Sequence, residues 1–154
     1  MFEVKIESQA VDRALEHVAQ GMHDASPLMR SISEEFRTQT EANFAAEGRP
    51  KWLGLKPSTI DQRTRRGSWP GRIMQISGQL AASYSTGHDA DSATIGSNKV
   101  YAAIQNLGGD AGRGHKSHIE PRPQLPIDAQ GNLQPDAEEA ILGLANDYLA
   151  RLIP

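Results

Sequence analysis

The first third of the chain changes from an alternating to a helical hydrophobic pattern. Apolar and charged residues alternate at the start, which predicts a strand over residues 2–7. Apolar residues then recur every three or four positions. This spacing predicts one helix capped by Ser8 and a second that Ser26 and a following proline open. The glycine, arginine and proline at 48–50 end the second helix.

The rest of the chain predicts shorter elements between loops. Apolar residues spaced three and four apart predict an amphipathic helix over residues 73–84, in which Gly78 would permit a close backbone approach. Two short runs around a polar turn, 83–86 and 93–97, predict a β-hairpin. The remaining predictions are a helix over 58–66, a short helix or strand-to-helix junction over 99–107, a mobile glycine-rich loop at 108–118, an extended proline segment at 121–126 and a C-terminal helix from Pro135.

This order of elements predicts the α+β class, with a small antiparallel sheet packed with several amphipathic helices. The 154 residues suit one domain over residues 1–154. Only 38% of the residues are hydrophobic, and glycine and proline are frequent, so we expect a modest core surrounded by much loop. No apolar run approaches the roughly 18 residues that span a bilayer, and no signal-peptide core is present, which predicts a soluble protein made in the cytosol.

Charge is distributed unevenly along the chain. The loop-rich segment 49–72, hereafter the basic segment, carries seven basic side chains against one acidic one, whereas residues 1–48 carry four against nine. Residues 73–154 are acidic again, with five against nine. A basic segment between two acidic ones attracts an anionic partner, either phosphate or the acidic face of another protein.

Both tryptophans, Trp52 and Trp69, lie in the basic segment, and three interpretations of it stay open. The tryptophans could cover a small core while the arginines remain in solvent. The segment could form a protein-binding surface, or a groove for single-stranded nucleic acid, of which interleaved basic and aromatic residues are typical. The acidic remainder of the molecule would repel a phosphate backbone, which disfavours nucleic acid.

Sites for catalysis, metals or nucleotides are not supported by the sequence. The absence of cysteine excludes disulfides, thiolate zinc sites and thiol nucleophiles. His115 and His118 have a metal-ligand spacing, but they lie in a glycine-rich stretch that is not helical. His115 also separates Lys116 from the glycines, which breaks the phosphate-loop pattern. We therefore expect no enzyme, no cofactor and no bound metal.

A series of short motifs resembles the phage virion morphogenesis family, which includes the tail completion proteins of P2-like and Mu-like phages. The resemblance covers about residues 30–130. Gln105, Leu107 and Gln124 differ from residues that are common in the family, which suggests a divergent Mu-like member. The motifs are, in order, FAAEG at 44–48, WLGL at 52–55, ST at 58–59, IMQISGQL at 73–80, ATIGS at 93–97, YAAIQNLG at 101–108 and PRP at 121–123.

The resemblance implies a structural phage protein of the head–tail joining (neck) region or of tail completion, acting without catalysis. Such proteins form closed rings, here through contacts with copies of the chain and with other virion proteins of the connector or tail end. DNA would only pass through the channel, and no membrane would be involved. The implied location is the virion, and the host cytoplasm during assembly.

Two groups of residues are the candidates for function. The predicted protein interface comprises Arg49, Lys51, Trp52, Lys56, Arg63, Arg65, Arg66, Trp69, Arg72 and Arg122. The predicted fold motif comprises Thr59, Gly78, Leu80, Tyr101, Gly108 and Pro123. We expect charge reversal at Arg63, Arg65 and Arg66 to block assembly and to leave the subunit folded. The alternative function is a nucleic-acid-binding module that uses the basic segment.

Overall fold

The computed structural model describes residues 9–128 and 130–153 of the chain. The strand predicted over residues 2–7 lies outside them. The α+β class, with small antiparallel sheets and several helices in one domain, is confirmed. The described elements are α1 (Gln9–His23), α2 (Ser26–Ala46), α3 (Pro57–Arg65), β1 (Tyr84–His88), β2 (Ala93–Ser97), α4 (Ala102–Leu107), β3 (Gly109–Ala111), β4 (Ser117–Ile119) and α5 (Pro135–Leu152).

Helix α2 is the central element around which the other parts pack. It contacts α5 and both strands of the hairpin β1–β2, while α1 packs against α5. The Tyr148 hydroxyl on α5 donates hydrogen bonds to the carbonyl oxygens of Gly21 (2.7 Å) and Asp24 (3.1 Å). These bonds fix α5 to the end of α1.

The core is small and lies between α2, the basic segment and the first hairpin. Phe44 and Trp52 meet edge to face, with ring centroids 5.8 Å apart, and Tyr84 lies 6.1 Å from Phe44. Leu80 and Ala102 complete this buried cluster. Edge-to-face contacts add to the burial of apolar area, so the three aromatic rings stabilise the junction of these elements.

The amphipathic helix predicted over residues 73–84 is wrong. The segment forms turns and a 3₁₀ turn at Ala81–Ser83, and Tyr84 already belongs to β1. Met74 and Gly78 have positive φ angles of 61° and 69°, which a continuous α-helix excludes. The turns direct Ile73, Met74 and Leu80 to the core without helical periodicity and leave Ile76 exposed.

The loop predicted at 108–118 is also partly wrong, because it contains a second hairpin. β3 and β4 pair antiparallel, with Gly109 opposite Ile119 and Ala111 opposite Ser117. The Asp110 carboxylate lies 2.9 Å from Nδ1 of His118 across this hairpin. Three-residue strands carry too few side chains to produce a recognisable alternation, so glycine content dominated the sequence pattern.

Candidate protein–protein interface

Arg49 is a structural link inside the subunit rather than a free interface cation. Its Nε donates to Oδ1 of Asn43 (2.8 Å), its Nη1 to Oδ2 of Asp136 (3.0 Å) and its Nη2 to the side-chain oxygen of Gln39 (2.7 Å). The guanidinium thereby joins α2, the basic segment and the start of α5. A planar group with five donors suits such a three-way junction.

Trp52 lies in the core, which corrects its prediction as a surface anchor. Its side chain is only 7% exposed, and Nε1 donates a 2.9 Å hydrogen bond to the carbonyl oxygen of Pro123. The bond attaches the proline segment to the core. Trp69, in contrast, is 37% exposed and remains available to a partner.

Most other cations of the basic segment are at the surface. Lys51 forms an exposed pair with Glu47 at 3.8 Å, an arrangement of little energetic value. Lys56, Arg65, Arg66 and Arg72 are exposed as well. These five cations and Trp69 form the part of the predicted interface that stays accessible along the basic segment.

A groove of about 400 Å³ brings together residues from both predicted groups. Lys56 lines it from the N-cap of α3, Thr59 from the first turn and Arg63 from the last turn. Leu80 and Tyr101 line it from the central part of the chain, and Arg122 from the proline segment. We call this concavity the α3 groove. Its remaining walls are Leu55, Ile73, Met74, Ile76, Ser77, Gln105, His118, Ile119 and Glu120.

Arg63 and Arg122 give the α3 groove an unusual electrostatic character. Arg63 is only 7% exposed; its Nη1 donates to the carbonyl oxygen of Arg72 (3.0 Å), and its buried Nε has no partner among the described residues. Burial lowers the pKa of the Arg122 guanidinium, and the positive charge of Arg63 lowers it further, while Glu120 opposes both.

The predicted charge reversal at Arg63 would bury a carboxylate and unfold the subunit, so only Arg65 and Arg66 suit that experiment.

Residues of the predicted fold motif occupy their positions for different structural reasons. Gly78 has a φ of 69° and open space around it, so backbone conformation and not the predicted close approach requires glycine there. At Gly108, with a φ of 73°, a Cβ atom would lie 2.9 Å from the ring of Pro121. Pro123 supplies the carbonyl that Trp52 uses. The motifs around positions 44–55, 101–108 and 121–123 therefore converge on one structural unit.

A group of buried amides, which the sequence analysis missed, holds the proline segment. Oδ1 of Asn106 accepts the backbone N–H groups of Gln124 (2.7 Å) and Leu125 (3.1 Å). Nδ2 of Asn43 donates to the carbonyl oxygens of the same two residues at 3.0 and 3.3 Å. The Tyr84 hydroxyl donates to Oε1 of Gln124 at 2.7 Å, and burial raises the pKa of Tyr84 to about 12. In the sequence, the polar residues within the motif at 101–108 were the signal that could have revealed this group of buried amides.

These observations describe a subunit with a tightly held proline segment and an accessible basic groove, and comparison with known proteins assigns it to a family. The model of the phage virion morphogenesis family matches residues 6–150, which is nearly the whole chain. The chain belongs to the phage virion morphogenesis family. The predicted resemblance is thus confirmed, and the chain has a structural role in building phage particles.

Two relatives of this family member come from Mu and a Mu-like prophage. The Mu-like prophage FluMu G protein 2 of Haemophilus influenzae is 36% identical over 154 residues, which cover 99% of each chain. The putative capsid assembly protein G of Escherichia phage Mu is 31% identical over 121 residues, 78% of this chain and 72% of that protein. No solved structure gives a significant match.

The described residues contain neither a cluster of metal-ligating side chains nor a membrane-spanning helix. Across residues 9–128 and 130–153, side chains of the metal-binding types do not gather in groups of three or more. None of the helices in that part of the chain combines the length and apolarity that crossing a bilayer requires.

Proposed function

We propose that the chain is a structural subunit of the head–tail joining or tail-completion region and forms a closed ring around the DNA channel. It acts by binding copies of itself and other virion proteins of the connector or tail end, without catalysis. DNA passes through the ring and is not the ligand of the basic segment. The protein resides in the virion, and in the host cytoplasm during assembly. The name of the phage Mu relative, putative capsid assembly protein G, supports an assembly role.

Incomplete burial of apolar residues is the observation that carries this proposal. Among the residues whose burial the structure describes, the hydrophobic core consists of Phe44, Trp52, Leu80, Ala102 and Ala137. Such a core is small for a chain of this length, which ordinarily buries about two-thirds of its unfolded surface. A small core favours a subunit that completes its burial in an assembly.

Exposed apolar side chains support the same proposal. Val100 is 98% exposed, and several other large apolar residues are more than half exposed. The buried residues of the described part include as many polar side chains as apolar ones. Apolar side chains are therefore available for contacts between subunits. The other exposed residues of this kind are Met22, Leu53, Ile76, Leu107, Leu142 and Ile153.

The charge distribution favours contacts between unlike surfaces of neighbouring subunits. A ring requires heterologous contacts, in which one patch of a subunit meets a different patch of the next. The basic segment and the acidic helices α1, α2 and α5 form such a complementary pair, which would steer and align the subunits. Arg49 is engaged within the subunit, so fewer free cations remain for a nucleic-acid groove.

Removal of the chain from the phage that encodes it tests the structural role. We expect infected cells to accumulate unjoined heads and tails or incomplete tails, visible by electron microscopy, and the wild-type gene in trans to restore infectious particles. Normal, infectious particles without the chain would refute the proposal.

The same complementation assay tests the basic segment. We expect the double variant Arg65→Glu/Arg66→Glu to fold but not to restore particles, because both reversed side chains are exposed. The matched control is Lys116→Glu, a reversal of an exposed cation outside the basic segment. Full rescue by the double variant would show that the basic segment is not an interface. Tight DNA binding by the wild-type protein that weakens steeply with salt would favour the alternative function.

A further inference from the structure

The α3 groove contains two guanidinium groups without a carboxylate partner. Within the described residues, no Asp or Glu oxygen lies within 4 Å of Arg63 or Arg122, although Glu120 lines the same groove. Nη2 of Arg122 makes only two long bonds of 3.3 Å to the carbonyl oxygens of Leu53 and Gly54. The buried Nε atoms of both arginines have no partner there. Arg63 is buried, and a buried charge without a counter-ion is costly, which indicates that a partner supplies the anion.

The shape and lining of the groove indicate what kind of anion fits. Arginine forks match carboxylates in geometry and form strong charge-assisted hydrogen bonds with them. Leu55, Ile73 and Ile76 form an apolar wall beside the two arginines, and Ile76 is 62% exposed. The complementary surface therefore presents carboxylates next to a large aliphatic side chain.

Helix α5 presents this combination on its outer face. Glu138 and Glu139 lie one turn before Leu142, and Leu149 continues the same face two turns later. Both glutamates are exposed, Leu142 is 57% exposed and Leu149 is 43% exposed. We call Glu138, Glu139, Leu142, Asn146 and Leu149 the α5 stripe. The opposite face of α5, which includes Ala137, is buried against the subunit.

We propose that the α3 groove of one subunit receives the α5 stripe of the next, with Glu138 and Glu139 paired to Arg63 and Arg122. Leu142 packs against the apolar wall of the groove. The groove and the stripe share no residue, so the contact is heterologous and propagates from subunit to subunit, as a ring requires. This inference rests on the proposed function, because it assumes that copies of the chain assemble.

Neutralising the glutamates without changing their shape tests the ion pairs. We expect Glu138→Gln/Glu139→Gln to reduce the association constant between subunits, measured by sedimentation equilibrium, at least about thirtyfold, since the buried charge of Arg63 would remain unpaired in the groove. The control Asp147→Asn removes a charge from the flank of the same helix and should leave association unchanged. Equal association of the wild type and the glutamate double variant would overturn the inference.

The absence of cysteine makes disulfide crosslinking a direct test of the geometry. The double variant Ile76→Cys/Leu142→Cys carries one thiol in the groove and one in the stripe, both at exposed positions. Under oxidising conditions we expect it to form a ladder of covalent oligomers, whereas a mixture of the two single variants gives dimers only. The control pair Ile76→Cys/Asp147→Cys should give no ladder.

The crosslinking experiment, carried out on purified phage particles, separates failure of the inference from failure of the proposed function. Particles that contain the double variant but yield no ladder would overturn the pairing of groove and stripe and leave the structural role intact. Particles that assemble normally without the wild-type chain would refute the structural role, and the inference with it.

Discussion

Individual buried polar residues, more than apolar ones, determine how the proline segment is held. Asn43, Asn106 and Gln124 are almost completely buried, and the side chains of Asn43 and Asn106 both hydrogen-bond to the backbone of Gln124. A buried polar network is favourable only when its members are satisfied, because each unpaired group costs the free energy of its desolvation. The network therefore specifies the position of Arg122, which belongs to the same segment.

Loss of the Asn106 side chain should destabilise the subunit. Asn106→Ala leaves the backbone N–H groups of Gln124 and Leu125 without their acceptor, so we expect the free energy of unfolding to fall by about 3 kcal/mol. Urea denaturation followed by circular dichroism measures this change. The control Asn98→Ala, at an exposed position, should change stability by less than about 0.5 kcal/mol. An equal, small effect of both variants would contradict the role of the network.

Tyr84 predicts a loss of stability at alkaline pH. Burial raises the pKa of Tyr84 to about 12, whereas an unfolded chain releases the tyrosine proton near pH 10. The neutral form is thus favoured in the folded state. Its stabilising effect is complete below pH 10 and is lost as the pH rises to about 12. We expect the urea midpoint of unfolding to fall as the pH rises over this range, and to fall less in Tyr84→Phe than in Tyr101→Phe. An equal fall of the midpoint in both variants would refute the role of Tyr84.

For individual residues, the sequence predicted the chemical class of the side chain but not whether it is buried or exposed. Trp52 and Trp69 have similar basic neighbours in the chain, yet the first is a core residue and the second is partly exposed. Arg63 and Arg65 are two positions apart on α3, so they point to different faces, and only Arg63 is buried. Composition does not contain this information, because the packing partners come from distant segments.

The long helices and the first hairpin were predictable from the sequence. The turns of residues 73–84 and the second hairpin, β3–β4, were not. The helices α1, α2 and α5 and the hairpin β1–β2 were predicted from periodicity and turn residues. The segment 73–84 has helical spacing, but tertiary contacts override it. The Glu47 carboxylate accepts the N–H of Ile73 at 2.7 Å, and Gln75 donates to the carbonyl oxygen of Phe44 at 2.8 Å.

A glycine substitution tests the turn structure of this segment. Gly78→Ala places a Cβ atom on a residue with a φ of 69°, and we expect it to lower the free energy of unfolding by about 1 kcal/mol. Gly54 also has open space around it but no positive φ, so Gly54→Ala should be neutral or stabilise by about 0.5 kcal/mol. Stabilisation by Gly78→Ala would indicate that the segment is helical after all.

At the scale of the whole molecule, assembly is the proposal that accounts for the surface of the chain. Exposed apolar side chains, two guanidiniums without a carboxylate partner and an exposed acidic stripe all lack partners within the described residues. In the proposed contact, a neighbouring copy supplies a partner for each of them. Sequence analysis could find the charge asymmetry that underlies this arrangement, but the pairing of Arg122 with α3 depends on the fold.

The central claim is that the chain is a virion building block that contacts copies of itself. Cryo-electron microscopy of purified particles that carry a labelled subunit tests it most directly. The account predicts a closed ring of labelled copies on the tail axis, at the head–tail joint or the tail end. Particles without the chain, or with copies that do not touch one another, would contradict it.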